Sequence, residues 1–178
     1  FDEISLNSLS TGDYPHLREL LSRLKCEIKG TSVALPSLRI DSFDGDFIEQ
    51  SRKSSLTFAP EGGTQRLRDV INKDITEDEI ERTVRIAFDK GYTSIKLYFM
   101  MGLPTETDDD LNGIAAIVYK IRDIYSANKK FARNLRISVS VSTFIPKPWT
   151  AFQWERQISK EEFLHKVEVL KSKLHCVT

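Results

Sequence analysis

Two kinds of hydrophobic pattern alternate along this chain. One is a short apolar run of the length of a β-strand, and the other is a segment with the spacing of an amphipathic helix. The strand-like runs are residues 3–9, 31–35, 55–59, 95–100 and 135–143. Each run is followed by a segment in which apolar residues recur every three or four positions, as on one face of a helix. The clearest unit spans 95–124, where an apolar strand breaks at Gly102 and Pro104 before a long helical pattern begins. Five strand–helix units predict an α/β fold with a parallel sheet and right-handed crossovers.

Helix starts are marked by capping residues. Thr76 with Glu79, and Ser159 with Glu162, have the spacing of a capping box. Thr107 and the three aspartates after it predict the start of the long helix, because the helix dipole favours negative charge there. Capping alone accounts for these four residues, so they are not taken as site residues.

An open barrel and a doubly wound sheet both fit this alternation. A dinucleotide-binding sheet would place G-x-G-x-x-G after its first strand, where this chain has only Gly12. In the last strand Ile137, Val139 and Val141 alternate with serines, which fits a strand with one face toward a polar cavity. We therefore expect a partial parallel (β/α) barrel.

Composition limits the class of protein. The chain has 178 residues, enough for one domain, and 26 basic residues balance 26 acidic ones. A net charge of zero argues against a strongly basic nucleic-acid surface, and no apolar run suggests a membrane span or a signal peptide. Cys26 and Cys176 lack C-x-x-C spacing, cannot supply a metal cluster alone, and favour a reducing compartment such as the cytoplasm. Because the chain opens on Phe1, directly before a strand, we expect a fragment of a longer protein.

Candidate ligand-binding residues come directly after the predicted strands. The carboxyl ends of parallel strands lie at one edge, where ligands bind, so we expect these residues to converge. They offer small residues for close backbone approach, hydroxyl and carboxylate groups, and an arginine that can pair with a carboxylate. The groups in chain order are Ser10, Thr11, Gly12 and Asp13; Arg39; Glu61, Gly62, Gly63 and Thr64; Gly102 and Glu106; and the loop at 144–150. Such a set suits a small amphiphilic ligand with amine, carboxylate and ribose groups.

Simpler interpretations stand beside this one. Residues 11–13 form a common turn sequence, and 61–63 fit a flexible loop before a helix. The three histidines lack partners at metal-binding spacing and are expected on the surface. Trp149 and Trp154 either cover the barrel mouth or pack against a further domain.

Taken together, the motifs resemble the radical SAM superfamily, most closely its branch of uncharacterised Fe–S oxidoreductases. Longer members of that branch carry a cobalamin-binding-like N-terminal region. The motifs that carry the resemblance are residues 8–14, 35–43, 56–73, 96–107 and 140–148. The third and fourth are also similar to motifs of methylthiotransferases.

The resemblance implies a partial barrel whose first βα unit is missing, with residues 1–155 as the C-terminal part of the barrel core and 156–178 as a helix after the last strand. By resemblance, the turn from Ser10 to Asp13 faces the methionyl amine of S-adenosylmethionine. Arg39 and the loop from Glu61 to Thr64 lie near its carboxylate and ribose. The adenine site is shaped by Gly102 and Glu106, and is flanked by the strand that carries Ser142 and Phe144.

One departure from the family is decisive: the Cys-x-x-x-Cys-x-x-Cys triad that binds the [4Fe–4S] cluster is absent. The resemblance places it upstream of Phe1. The intact parent would cleave S-adenosylmethionine reductively to a 5′-deoxyadenosyl radical, for methylation, methylthiolation or other radical chemistry. It would use an electron donor and, as in the longer members, cobalamin in a separate domain. The fragment alone, without its N-terminal region, is expected to bind no cofactor and to be inactive.

Two other functions fit the same residues. One is a non-catalytic barrel that serves as a binding or interaction module. The other is a (β/α) barrel hydrolase or lyase that uses Glu61 and Glu106 as acid and base.

Overall fold

The computed structural model describes residues 3–8, 11–28, 30–34, 55–127 and 134–174. Strands and helices alternate through these ranges. The strands are β1 (Glu3–Ser5), β2 (Ser32–Ala34), β3 (Leu56–Glu61), β4 (Ser94–Met101) and β5 (Arg136–Thr143). The helices are α1 (Leu17–Glu27), α2 (Gln65–Val70), α3 (Glu77–Asp89), α4 (Asp108–Ala127) and α5 (Lys160–Leu174), and Thr11–Asp13 forms one 3₁₀ turn. The short helix expected near residues 44–50 lies outside the described residues.

All described strand pairs are parallel, as predicted. β1 pairs with β2, with Ile4 opposite Val33. β3, β4 and β5 form a three-stranded sheet in that order. The strand predicted at 95–100 is therefore the central one, and the parallel α/β architecture is confirmed.

The two faces of the three-stranded sheet differ in chemistry. On β4 the side chains of Ile95, Leu97, Phe99 and Met101 are buried on the helix-covered face. The opposite face is more exposed and carries Tyr98, which is 43% exposed, and the serines of β5. Because successive side chains of a strand point to opposite faces, this alternation divides an apolar face from a hydroxyl-bearing one.

The apolar face is covered by α3, α4 and α5. Val84 and Ala87 of α3 and Leu111 and Val118 of α4 are almost fully buried in one core with β3 and β4. Each leucine or valine buried in this way contributes about 1.5–3 kcal/mol to folding. Helix α5 packs against α4, and the Tyr119 hydroxyl donates to a backbone carbonyl near the end of α5 at 2.6 Å.

Both predicted capping boxes are present. The Thr76 side chain accepts from the Glu79 amide while the Glu79 carboxylate accepts from the Thr76 amide. The same reciprocal pair joins Ser159 and Glu162 at the start of α5. These local hydrogen bonds fix where α3 and α5 begin, which is why the sequence predicts them well.

Two strand ends differ from the prediction for physical reasons. β1 ends at Ser5. The next carbonyl, that of Leu6, accepts a hydrogen bond from the Thr11 hydroxyl at 3.4 Å instead of from a backbone N–H of a neighbouring strand. β3 runs to Glu61, two residues beyond the expected end, through a register shift that contains Pro60. Proline has no N–H to donate to the ladder, so it is accommodated in an irregularity.

In the part of the chain that the structure describes, no helix combines the length and the apolar character needed to cross a membrane.

Candidate functional site

The loop after β3 is held in an unusual backbone conformation. Glu61 has a φ of 65°, in the region that favours glycine. Its carboxylate lies 3.6 Å from the Lys73 ammonium and remains 28% exposed. Thr64 ends the loop and caps α2, accepting from the Leu67 amide at 3.2 Å. A strained residue with a partly exposed carboxylate therefore stands at the carboxyl end of a strand, where ligands bind in parallel folds.

A fully buried arginine fixes the other side of this loop. Arg68 is 0% exposed and donates from Nε to the Ile75 carbonyl at 2.8 Å and from Nη1 to the Gly62 carbonyl at 3.2 Å. Burial lowers the pKa of Arg68, and the nearby Glu77 carboxylate opposes this shift. Sequence reasoning missed this residue because the charged residues around it resemble a solvated helix face.

The loop after β4 is braced by a buried carboxylate. Glu106 Oε1 accepts from the Gly102 amide at 2.9 Å and from the Lys166 ammonium of α5 at 2.8 Å. The Glu106 side chain is only 2% exposed. Its second oxygen, Oε2, is buried and has no hydrogen-bond partner among the residues that the structure describes. One oxygen therefore stabilises the turn, while the other is an unused acceptor.

Asp110 connects the two loops. Its side chain is 2% exposed and accepts from the Thr64 hydroxyl on Oδ1 and from Arg66 on Oδ2. Oδ2 also accepts from the amide and the hydroxyl of Thr107, both at 2.8 Å. Burial by itself would raise the pKa of Asp110, but the hydrogen bonds from Thr64, Thr107 and Arg66 hold it below its usual value.

The β3 loop also touches the backbone of α4 directly. A Cβ at Gly63 would lie 2.1 Å from the Asp110 carbonyl oxygen and 2.5 Å from the Ile114 amide nitrogen. A Cβ at Gly113 would lie 2.5 Å from the Gly63 carbonyl oxygen. Packing between the loop and the helix therefore accounts for Gly63 without a ligand.

A third loop joins these two through apolar contact. Phe144, at the end of β5, is 7% exposed and clusters with Leu67 of α2 and Leu103 of the β4 loop. Its ring meets Phe152 edge-on, with centroids 6.1 Å apart. The Phe144 side chain therefore belongs to a small apolar cluster beneath the loops.

The structure brings together the candidate residues that follow β3, β4 and β5. Ser142 lies on the exposed sheet face, with its hydroxyl 3.4 Å from the Phe99 carbonyl. The turn Thr11–Asp13 follows β1, and a cavity of about 510 Å³ is lined in part by Thr11 and Asp13. Ser10 and Arg39 lie outside the described residues.

Metal ligands do not gather in the described part of the chain. No group of three or more histidine, cysteine or acidic residues there has an arrangement suited to a metal ion. Cys26 is exposed, and the sequence contains only one further cysteine. Because a [4Fe–4S] cluster takes several thiolates, the residues of this chain do not fit one.

Comparison with known proteins places these features in a family. The family profile described as the radical SAM superfamily matches residues 4–118. An uncharacterised protein of Methanocaldococcus jannaschii is 36% identical over 155 residues, which are 86% of this chain and 32% of that protein. Coproporphyrinogen III oxidase (HemN) from Escherichia coli, a radical SAM enzyme, superposes with a TM-score of 0.59 at 14% identity, covering 99% of this chain and 40% of HemN. The chain thus spans well under half the length of either protein, and the likeness to HemN is one of fold.

Proposed function

This chain belongs to the radical SAM superfamily, and from that premise we propose that it is the part of an enzyme that positions S-adenosylmethionine for reductive cleavage. The observation that carries the proposal is the meeting of the loops after β3, β4 and β5 at one edge of a parallel sheet. Family membership alone would not show that the loops meet. Their joint fixation by Asp110, Arg68 and Glu106 provides a preorganised edge of the kind that ligand positioning requires.

The described residues fit the polar parts of this ligand. The Glu61 carboxylate is partly exposed at a strained strand end, where it can accept from ligand donors, while the buried Glu106 fixes the backbone of the neighbouring loop. We assign the ligand's hydroxyl and amine groups to these loops and to the Thr11–Asp13 turn beside its cavity. When bound, S-adenosylmethionine and the cluster supply the radical chemistry, and this chain supplies orientation and shelter.

The cluster must be bound by residues outside these 178. We propose that the parent contains the cysteine ligands, receives its electron from a separate donor and works in the cytoplasm. The likeness of residues 56–73 and 96–107 to methylthiotransferase motifs supports methyl or methylthio transfer as the parent's reaction, with cobalamin in a separate domain as a further cofactor.

The test is made on the intact parent, reconstituted without oxygen. We expect 5′-deoxyadenosine to form under dithionite and Glu61→Ala to reduce its yield while the iron content stays unchanged. Removing a carboxylate that satisfies ligand donors costs about 1–3 kcal/mol of binding.

A matched control is available on α3. Glu81 is also 28% exposed and also pairs with a lysine, Lys120, but it lies within helix α3 and not at the carboxyl end of a strand. Glu81→Ala should retain the wild-type yield. Wild-type yield from Glu61→Ala, or no 5′-deoxyadenosine from the parent, would contradict the proposal.

A hydrolase or lyase that uses Glu61 and Glu106 finds less support in the contacts. Glu106 Oε1 is engaged by the Gly102 amide and Lys166, and Glu61 lies beside Lys73. The upstream sequence separates the remaining alternatives. A cysteine triad about 30 residues before Phe1, the length of a βα unit, would favour the radical enzyme over a binding module.

A further inference from the structure

We propose that Arg66 and Asp110 form a clamp that holds the β3 and β4 loops in one fixed arrangement and thereby sets the affinity for S-adenosylmethionine. The inference rests on the proposed function and adds two positioning residues to it. Neither residue belongs to the candidate set that the sequence predicts.

The first observation is the number and origin of the donors on Asp110. Helix capping accounts for the contacts from Thr107, which lies three residues before Asp110. It does not account for the Thr64 hydroxyl and the Arg66 guanidinium, which come from positions 46 and 44 residues earlier in the chain. A carboxylate that serves only as a helix cap has no need of donors from another loop.

The second observation is the reach of Arg66 into the β4 loop. Its Nη1 donates to the Thr105 hydroxyl at 3.1 Å and its Nη2 to the Thr105 carbonyl at 3.0 Å. Thr105 has a φ of 63°, and such a conformation persists only where the surroundings enforce it. The planar fork of arginine can bind Thr105 and Asp110 together, whereas lysine offers a single point charge.

The third observation is that the clamp encloses the candidate ligand residues on both loops. Gly62 and Gly63 lie immediately before Thr64, and Glu106 lies between Thr105 and Thr107. A change in the distance between the loops would therefore displace groups on both sides of the ligand. Displaced groups no longer match the polar groups of the ligand, which weakens its binding.

The accessibility of Arg66 makes the clamp testable without damage to the core. The Arg66 side chain is 49% exposed, while that of Asp110 is buried. The matched control is Arg85 on α3, which is 55% exposed and pairs with Glu81 instead of a loop residue. Both Arg→Ala variants remove a half-exposed guanidinium from an ion pair, but only Arg66→Ala releases Thr105.

The experiment uses the intact, cluster-loaded parent and measures kcat and KM for S-adenosylmethionine in 5′-deoxyadenosine formation. Amide hydrogen exchange at 102–107 is measured on the same proteins without S-adenosylmethionine. We expect Arg66→Ala to raise KM about tenfold with little change in kcat, the signature of weakened binding. We also expect faster exchange confined to 102–107, and wild-type values of both for Arg85→Ala. Arg66→Lys should restore little of the wild-type KM or of the slow exchange at 102–107, because lysine cannot bridge Thr105 and Asp110.

The outcomes distinguish the two proposals. The clamp proposal is wrong if the parent cleaves S-adenosylmethionine but the Arg66→Ala variant keeps the wild-type KM. It is also wrong if amide exchange in that variant rises throughout the protein. If the wild-type parent forms no 5′-deoxyadenosine, the proposed function is wrong. In that case, faster exchange confined to 102–107 in Arg66→Ala would still support the coupling of the loops.

Discussion

Three of the described residues with a strained backbone lie at the end of a strand or in the loop that follows one. Glu61, Thr105 and Trp149 all have φ values between 63° and 65°; Glu61 is the last residue of β3, and the other two lie in the loops after β4 and β5. None is a glycine or an asparagine, so each conformation costs roughly 1–3 kcal/mol that the surrounding contacts must offset. No local sequence signal reveals these positions, because the residue types are ordinary and the strain is imposed by tertiary contacts.

Trp149 permits the simplest test of this strain. Its side chain is 95% exposed, so its replacement removes little packing. We expect Trp149→Asn to stabilise the chain by up to about 1 kcal/mol, because asparagine tolerates the left-handed region. The measurement is chemical denaturation of both proteins.

Trp154 provides the control for that change. It is 91% exposed and is not among the residues with positive φ. Trp154→Asn should leave the free energy of unfolding unchanged, and an equal gain from both variants would show that exposure, not backbone strain, is responsible.

The helices begin where short-range hydrogen bonds dictate, and α5 is an example with a pH signature. The Glu162 carboxylate accepts from both terminal nitrogens of Arg156 and from the Ser159 amide at 2.8 Å. The hydrogen bonds from Arg156 and Ser159 lower the pKa of Glu162 from 4.5 to about 2.

This lowered pKa predicts an acid-sensitive start of α5. A carboxylate whose folded pKa is depressed stabilises the fold above its unfolded pKa, and this contribution is lost as the pH falls toward the folded value. We therefore expect protection of the first turn of α5 to decline between about pH 4.5 and 2. Amide exchange measured across this range would show it.

Glu162→Gln is the control for the pH effect. Glutamine can still accept one hydrogen bond but does not ionise. Protection of the first turn should therefore be lower than in the wild type at neutral pH and should not change between about pH 4.5 and 2. A decline of equal size in the variant would assign the acid sensitivity to another group.

Element identity was predictable from the sequence because it depends on local periodicity and capping. The strand at 95–100 and the capping box of Thr76 and Glu79 were both confirmed. The burial of Arg68 and the distant partners of Asp110 were missed. Both depend on residues that the fold brings together, and neither leaves a trace in spacing along the chain.

At the scale of the molecule, the sequence predicted that the groups after all five strands converge, and the structure brings together those after β3, β4 and β5. The sequence did not predict what holds these three loops. Parallel topology is enough to place the ends of β3, β4 and β5 at one edge. The close approach of Gly63 to ribose stays a prediction, and the α4 backbone, which occupies the space beside this glycine, is sufficient reason for its lack of a side chain. The ligand contacts of Glu61, Gly102 and Glu106 stay predictions.

The isolated 178-residue chain should bind S-adenosylmethionine weakly and contain no iron. Its two cysteines cannot hold the cluster that would chelate the ligand's amine and carboxylate, although the polar contacts of the loops are present. We expect calorimetry to show a Kd weaker than about 1 μM, the value equivalent to roughly −8 kcal/mol. Submicromolar binding by the chain alone would mean that the loops contribute more than the cluster.

The contact between Gly63 and Gly113 also limits which substitutions this region can accept during evolution. A Cβ at Gly63 would meet the backbone of α4, and a Cβ at Gly113 would meet the Gly63 carbonyl, so neither position can gain a side chain while the two backbones stay in place. Loop and helix thus share one steric constraint between two positions that are 50 residues apart in the sequence. In homologous sequences both sites should therefore remain glycine, and a substitution at either should be accompanied by a loop of different length.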